Sequence, residues 1–191
     1  MSRQPLRAVI FDYGHTLLDV RWDDGARERG ERRLLAELGD PVGRGPFHAA
    51  VESELARAQS AAGEHAEVDY PRVAAAALRR LAVVPDPAAL ERGIRCEVLG
   101  SAEVRFPHPQ AAGVLRELRR MGLRLAIVSN TPDPPPLVLE LIEGDGLGEL
   151  VDAILLSSAL GLRKPAPAVY AAALEAVGAE PGETLFVGDR V

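Results

Sequence analysis

Cysteine is almost missing from this chain: Cys96 stands alone among 191 residues. An internal disulfide is therefore excluded, and a reducing cytoplasm is the expected compartment. No apolar run reaches the length of a membrane span, and Met1–Arg7 has no apolar signal-peptide segment, so no membrane partner is expected. Positive charge is outweighed, with a formal net charge of −6. That balance argues against nucleic acid or an anionic surface as a partner. Lysine is the scarcest basic residue. Lysine and arginine together number 22, and Lys164 is the only lysine. At this length the chain can bury a real core and still hold a sizeable insertion.

The stretch Ala8-Val-Ile-Phe-Asp12 is a short apolar run with β-branched members ending in a carboxylate. It reads as a buried, parallel strand, and Gly14 then breaks it. Asp12 is placed at the carboxyl end of that strand, where open α/β sheets bind ligands. A carboxylate there either caps a turn or attacks an electrophile to form a covalent intermediate.

From Asp19 to Arg105 the pattern is helical throughout. Asp23 and Asp24 open a helix with Ala26, Gly30, Leu34 and Leu38 on one face, stopped by Gly39. Pro46 opens a second with Phe47, Val51, Leu55 and Ala58, followed by Gly63. Asp69 with Pro71, and Asp86 with Pro87, start a third and a fourth, the last closed by Gly100. Cap residue, early proline and trailing glycine recur in that order. Four amphipathic helices with no intervening strand form a small bundle inserted after the first strand.

Strands return at Leu123–Asn130, Ala153–Leu156 and Thr184–Val187, separated by helical stretches at Leu137–Ile142 and Pro167–Val177. A further helix, with Ala111, Leu115 and Leu118, ends at Gly122. Alternation of strand and helix predicts an α/β fold with a parallel sheet covered on both faces. Right-handed crossovers then bring all strand ends to one edge. Those ends carry Asp12, then Ser129-Asn130-Thr131, then Lys164 by a short loop, then Gly188-Asp189. This inventory suits phosphoryl transfer. One carboxylate attacks, a cation and hydrogen-bond donors hold the oxygens, and a second carboxylate helps bind Mg²⁺.

Asp12 with Thr16-Leu17, Ser129-Asn130-Thr131, Gly161-Leu-Arg-Lys-Pro165 and Val187-Gly-Asp189 resemble the four ordered motifs of the haloacid dehalogenase-like hydrolase superfamily. The resemblance spans nearly the whole chain. It implies a Rossmann-like three-layer core over residues 1–18 and 106–191, with an all-helical cap over 19–105. It implies a Mg²⁺-dependent hydrolase of small phosphorylated metabolites, with an aspartyl-phosphate on Asp12. Ser129 and Lys164 would hold the transferring group with Thr16 and Asn130, and Asp12, the Gly14 carbonyl and Asp189 would hold the metal. The lone lysine falls in the third motif, where a compact point charge serves better than a planar fork.

Two departures stand out. The family's phosphatases carry a general-acid Asp two residues after the nucleophile, and here that position is Gly14. Its loss typically costs about 10²–10⁴ in rate. His15 is the nearby group suited to substitute, since imidazole titrates near neutrality. The family also carries a further acidic residue four positions after Asp189, then a helix and a strand. Neither falls within the residues up to Val191, and without such elements a buried parallel strand would lose its cover at this edge, so more chain is expected to follow. Two alternatives stay open: a 2-haloacid dehalogenase, whose relatives also lack the second Asp, and a catalytically silent binding or regulatory protein on the same fold. A response-regulator receiver is set aside, because it has no insertion of this size. A phosphonate-cleaving relative is excluded, because the cap contains no lysine. Arg21, Trp22, His48, Arg57 and Tyr70 lie where the family's cap reads substrate, and none is assigned a role.

Overall fold

A computed structural model describes residues 5–21 and 24–189. Strand β1 (Ala8–Asp12) is central in a four-stranded sheet with β4 (Arg124–Ser129), β5 (Ala153–Leu156) and β6 (Thr184–Val187), ordered β5-β4-β1-β6 and parallel throughout. Alternating side chains of β1 and β4 feed two cores. Val9, Phe11, Leu125 and Ile127 pack against α5 (Ala111–Arg120) and α6 (Pro135–Gly144). Ala8, Ile10, Ala126 and Val128 pack against α8 (Pro167–Val177). Each large aliphatic side chain buried this way contributes roughly 1.5–3 kcal/mol. Three layers result, with helices on both faces of the sheet, as the strand–helix alternation predicts.

Register places Asp12 beside Val128. Ser129, the last residue of β4 and paired with Leu156, therefore stands one step beyond Asp12 along the sheet edge. β6 pairs with β1 alone, and Leu185 is 50% exposed.

Between β1 and α5 lie four helices: α1 (Asp24–Glu37), α2 (Arg44–Ala61), α3 (Tyr70–Arg80) and α4 (Pro87–Gly100). They bury a core of their own, including Leu34, Phe47, Leu78 and Ile94. Helix α6 serves both cores: Leu137 and Leu141 join the helical one, whereas Val138 and Ile142 face the sheet. Asp69 and Asp86 cap as expected, accepting from the amides of Arg72 (3.1 Å) and Ala89 (2.9 Å). Asp23 lies outside the described residues, so its expected capping role does too. Gly93 is required by packing, because a Cβ there would sit 2.8 Å from the Leu34 carbonyl oxygen.

The structure departs from the sequence expectations in three places. Helix α2 begins at Arg44, ahead of Pro46, whose missing N–H falls in the first turn where it costs nothing. Gly100 has right-handed backbone and is the last residue of α4, not a stop beyond it. Two short strands, β2 (Leu18–Val20) and β3 (Arg105–Pro107), pair antiparallel and bring the two ends of the helical stretch together. Three residues are too few to show a period. No described helix is long and apolar enough to cross a membrane.

Candidate active site

The carboxyl ends of β1, β4 and β6 and the loop after α7 (Ser157–Leu160) open on one cleft of about 470 Å³. Asp12, Gly14, His15, Ser129, Asn130, Lys164 and Asp189 all line it. Lys164 Nζ forms an ion pair with Asp12 Oδ1 at 2.6 Å and donates to the Val128 carbonyl at 2.8 Å. The Val128 carbonyl takes one of the ammonium's three hydrogens. The amide of Tyr13 also donates to Asp12 Oδ1, at 2.7 Å. The amide and the ammonium both engage Oδ1, and Oδ2 is the carboxylate oxygen that neither contacts. Ser129 is buried and lines the cleft.

Asn130 is tied to the lysine loop: its carboxamide accepts from the Lys164 amide (2.8 Å) and donates to the Lys164 carbonyl (3.1 Å). Its side chain positions Lys164, and one carboxamide N–H is left over by these two bonds. Thr16 does not line the cleft, and its buried hydroxyl has no partner. His15 has left-handed backbone (φ 59°), is exposed, and lies 3.7 Å from Asp19. Gly14 has no such strain, and a Cβ added there would meet nothing within 4 Å. Gly188 is tight instead: a Cβ there would come within 3.1 Å of the Phe186 ring and 3.4 Å of Asp12 Cβ.

The donor set suits magnesium, which takes hard oxygen ligands and keeps several waters beside one or two carboxylates. Asp12, Asp189 and the Gly14 backbone line the same wall. Three or more acidic, His or Cys side chains gathered as a complete metal cage do not occur among the described residues.

Several functional neighbours escaped the sequence reading. Arg163, Tyr170 and Phe186 line the cleft. The α2–α3 loop reaches across to the lysine loop: Glu67 N–H donates to the Gly161 carbonyl (3.0 Å), and Arg163 N–H to the His65 carbonyl (2.8 Å). Ser157 Oγ donates to Glu67 Oε2 at 2.5 Å and accepts from the Thr131 amide at 2.7 Å. Next to Asp12 in the chain, Tyr13 Oη donates to Asp145, and Arg105 Nη2 donates to Tyr13 Oη (2.8 Å) and Asp145 Oδ2 (2.6 Å). Burial first, then the hydrogen bond to Asp145, push the Tyr13 phenol far up.

Residues of the helical stretch face elsewhere. Arg21 pairs with Asp19, His48 with Glu31 and Arg57 with Glu54; Trp22 lies outside the described residues. Tyr70 lines a second cavity of about 480 Å³, which shares no lining residue with the first. There Tyr70 Oη donates to Glu97 at 2.7 Å. Burial, aided by the nearby charges of Asp133 and Glu31, raises Glu97 to about 7 against the lowering effect of that bond. Burial also raises Asp133, which the Thr131 hydroxyl and Arg105 partly offset.

The sequence pattern of haloacid dehalogenase-like hydrolases matches residues 6–191. A phosphoglycolate phosphatase of Pseudomonas putida is 30% identical over 96% of this chain and 62% of its own. An (S)-2-haloacid dehalogenase of Xanthobacter autotrophicus is 30% identical over 97% of this chain and 68% of its own. A crystal structure of an L-2-haloacid dehalogenase superposes with a TM-score of 0.57 at 27% identity, covering 98% of this chain and 79% of that one. The chain spans between 33% and 76% of the length of the named phosphatases it matches.

Proposed function

Because this chain belongs to the haloacid dehalogenase-like hydrolase family, we propose that it hydrolyses small phosphorylated molecules through an aspartyl-phosphate on Asp12, with Mg²⁺ as cofactor. The observation that carries this reading is the Lys164–Asp12 contact of 2.6 Å in a cleft also lined by Ser129 and Asp189. A named phosphatase relative is consistent with it. Asp12 Oδ2 attacks phosphorus as the bond to the leaving oxygen breaks. Lys164 and Ser129 bind the phosphoryl oxygens and stabilise the charge that builds there. Asn130 holds the lysine loop in place. Water then attacks phosphorus, releasing inorganic phosphate and restoring the Asp12 carboxylate. Mg²⁺ held by Asp12, Asp189 and the Gly14 carbonyl supplies positive charge between two anions that otherwise repel.

With Gly14 in place of an acid, the leaving oxygen departs unprotonated or takes its proton from His15 or solvent. Residues 19–105 serve as a cap over a core of 1–18 and 106–191, hinged at the β2–β3 pair. A second reading, 2-haloacid dehalogenation, draws on the same glycine: halide needs no proton to leave, and a named dehalogenase relative is equally similar. Assay against phosphate monoesters with and without Mg²⁺, beside halide release from a 2-haloacid, decides between them. Mg²⁺-dependent phosphate release lost in Asp12→Asn supports the phosphatase. Metal-independent halide release with no phosphate release replaces it. Neither activity leaves the silent binding protein.

A further inference from the structure

Three segments meet beside the catalytic cleft, and one side chain joins them. The end of β4 carries Ser129-Asn130-Thr131, and the loop after α7 carries Arg163-Lys164. The third segment is the α2–α3 loop, from which the Glu67 side chain enters with only 2% exposed. Glu67 Oε2 accepts from the Ser157 hydroxyl at 2.5 Å. Its Oε1 accepts from the Val68 amide at 3.0 Å and stands 4.0 Å from the Arg163 guanidinium, with which it is ion-paired. Ser157 Oγ in turn accepts from the Thr131 amide at 2.7 Å. Arg163 precedes Lys164, and Thr131 follows Asn130, whose carboxamide holds the Lys164 backbone. A single carboxylate of the helical stretch is thus tied to both loops that present groups to Asp12. Backbone bonds hold the same segments together: Glu67 N–H to the Gly161 carbonyl (3.0 Å), Arg163 N–H to that of His65 (2.8 Å) and Tyr70 N–H to that of Pro132 (3.2 Å). Glu67 itself does not line the cleft.

We propose that Glu67 is a positioning residue that sets the Ser129–Thr131 and Lys164 loops at the spacing phosphoryl transfer needs, so that turnover depends on how the helical stretch docks. This inference rests on the phosphatase reading of the cleft. A carboxylate offers two acceptor oxygens, and here both are in use. A carboxamide offers one, so Glu67→Gln turns an N–H on either the Val68 amide or the Ser157 hydroxyl while keeping the volume. The Ser157 hydrogen is then left with the Thr131 carbonyl, 3.1 Å away, and the Thr131 loop loses its tie to the helical stretch. Displacing a group by about 1 Å can cost about 10²-fold in rate, even when the change lies away from the chemistry.

The test combines steady-state kinetics and amide hydrogen exchange on the full chain, with Glu67→Gln, Ser157→Ala and the double variant. With an aryl phosphate at saturating Mg²⁺, each single variant should lower kcat about 10- to 100-fold and keep KM within about 3-fold. The double variant should be within about 2-fold of the slower single one, because residues acting as a unit are not additive. Exchange over 129–133 and 161–165 should quicken about 10-fold or more in each, with β1 and α5 unchanged. A brace serving stability alone would leave kcat of the folded variants near native and quicken exchange across the sheet. Near-native kcat, a raised KM with kcat kept, losses that multiply in the double variant, or unchanged loop exchange each overturn the proposal. Should Glu67→Gln fail to fold, Ser157→Ala carries the same kcat and exchange expectations. If the native protein releases no phosphate from any ester, the phosphatase reading fails, and exchange alone decides: faster loops uphold the tie and unchanged loops overturn it.

Discussion

Replacing Gly14 by Asp restores the side chain that the family's phosphatases use as general acid, and the structure allows it to be placed. Gly14 does not sit in the left-handed region, and a Cβ there meets nothing within 4 Å. Its backbone lines the cleft, so the new carboxyl points toward bound substrate or solvent, not into the core. Removing backbone freedom from the unfolded chain offsets part of any cost, so melting should change by about 1 kcal/mol or less. The neighbouring Asp12 charge raises the new group's pKa, which is what a proton donor needs. General acid catalysis is worth about 10²–10⁴, or about 3–5 kcal/mol of barrier, but only where the leaving oxygen requires a proton. The assay is kcat/KM across phosphate esters whose leaving groups run from nitrophenols to simple alcohols. The native enzyme should favour acidic leaving groups steeply. Gly14→Asp should raise alkyl phosphate hydrolysis about 100-fold or more and change nitrophenyl phosphate hydrolysis by less than about 3-fold. A folded Gly14→Asp protein whose leaving-group dependence matches the native one refutes the reasoning, and proton delivery then passes to His15.

Three more outcomes are expected. Arg105→Met leaves the buried Asp145 carboxylate without its cation, both side chains being 11% exposed; urea titration should show a loss of about 3–5 kcal/mol, much of it regained when Asp145 is also made apolar. Glu97, raised to about 7 in the folded protein against 4.5 ordinarily, binds its proton more tightly when folded. Stability should therefore fall by about 3 kcal/mol as pH rises from about 4.5 to 7, then level off, and Glu97→Gln should flatten that slope in denaturation measured across pH. Gly188→Ala pushes a methyl against Phe186 and Asp12; steady-state kinetics should show kcat reduced about 10- to 100-fold, with KM moved far less.

Much of this architecture is legible in the sequence because its signals are local. Asp69 and Asp86 cap the helices they were expected to cap, and the strand Ala153–Leu156 and helix Pro167–Val177 have the expected bounds. The ordered strand ends bring Asp12, Ser129, Lys164 and Asp189 to one cleft. What escaped depends on residues far apart in the chain. Tyr13 meets Asp145 and Arg105 across separations of 132 and 92 residues, and Glu67 meets Ser157 across 90. No window of sequence contains such pairs. The β2–β3 pair is too short to carry a period. Asn130 lines the cleft and also holds Lys164 through its carboxamide, a pairing across 34 residues.

The central claim is that Asp12 becomes phosphorylated, and trapping that species tests it most directly. Enzyme mixed with Mg²⁺ and an aryl phosphate is acid-quenched within one turnover, treated with borohydride, digested, and read by mass spectrometry. An acyl phosphate on Asp12 is reduced to homoserine, so the account predicts homoserine at position 12, absent without substrate and absent in Asp12→Asn. Phosphate release at full rate with position 12 recovered only as unmodified aspartate, or with reduction at another carboxylate, would contradict it.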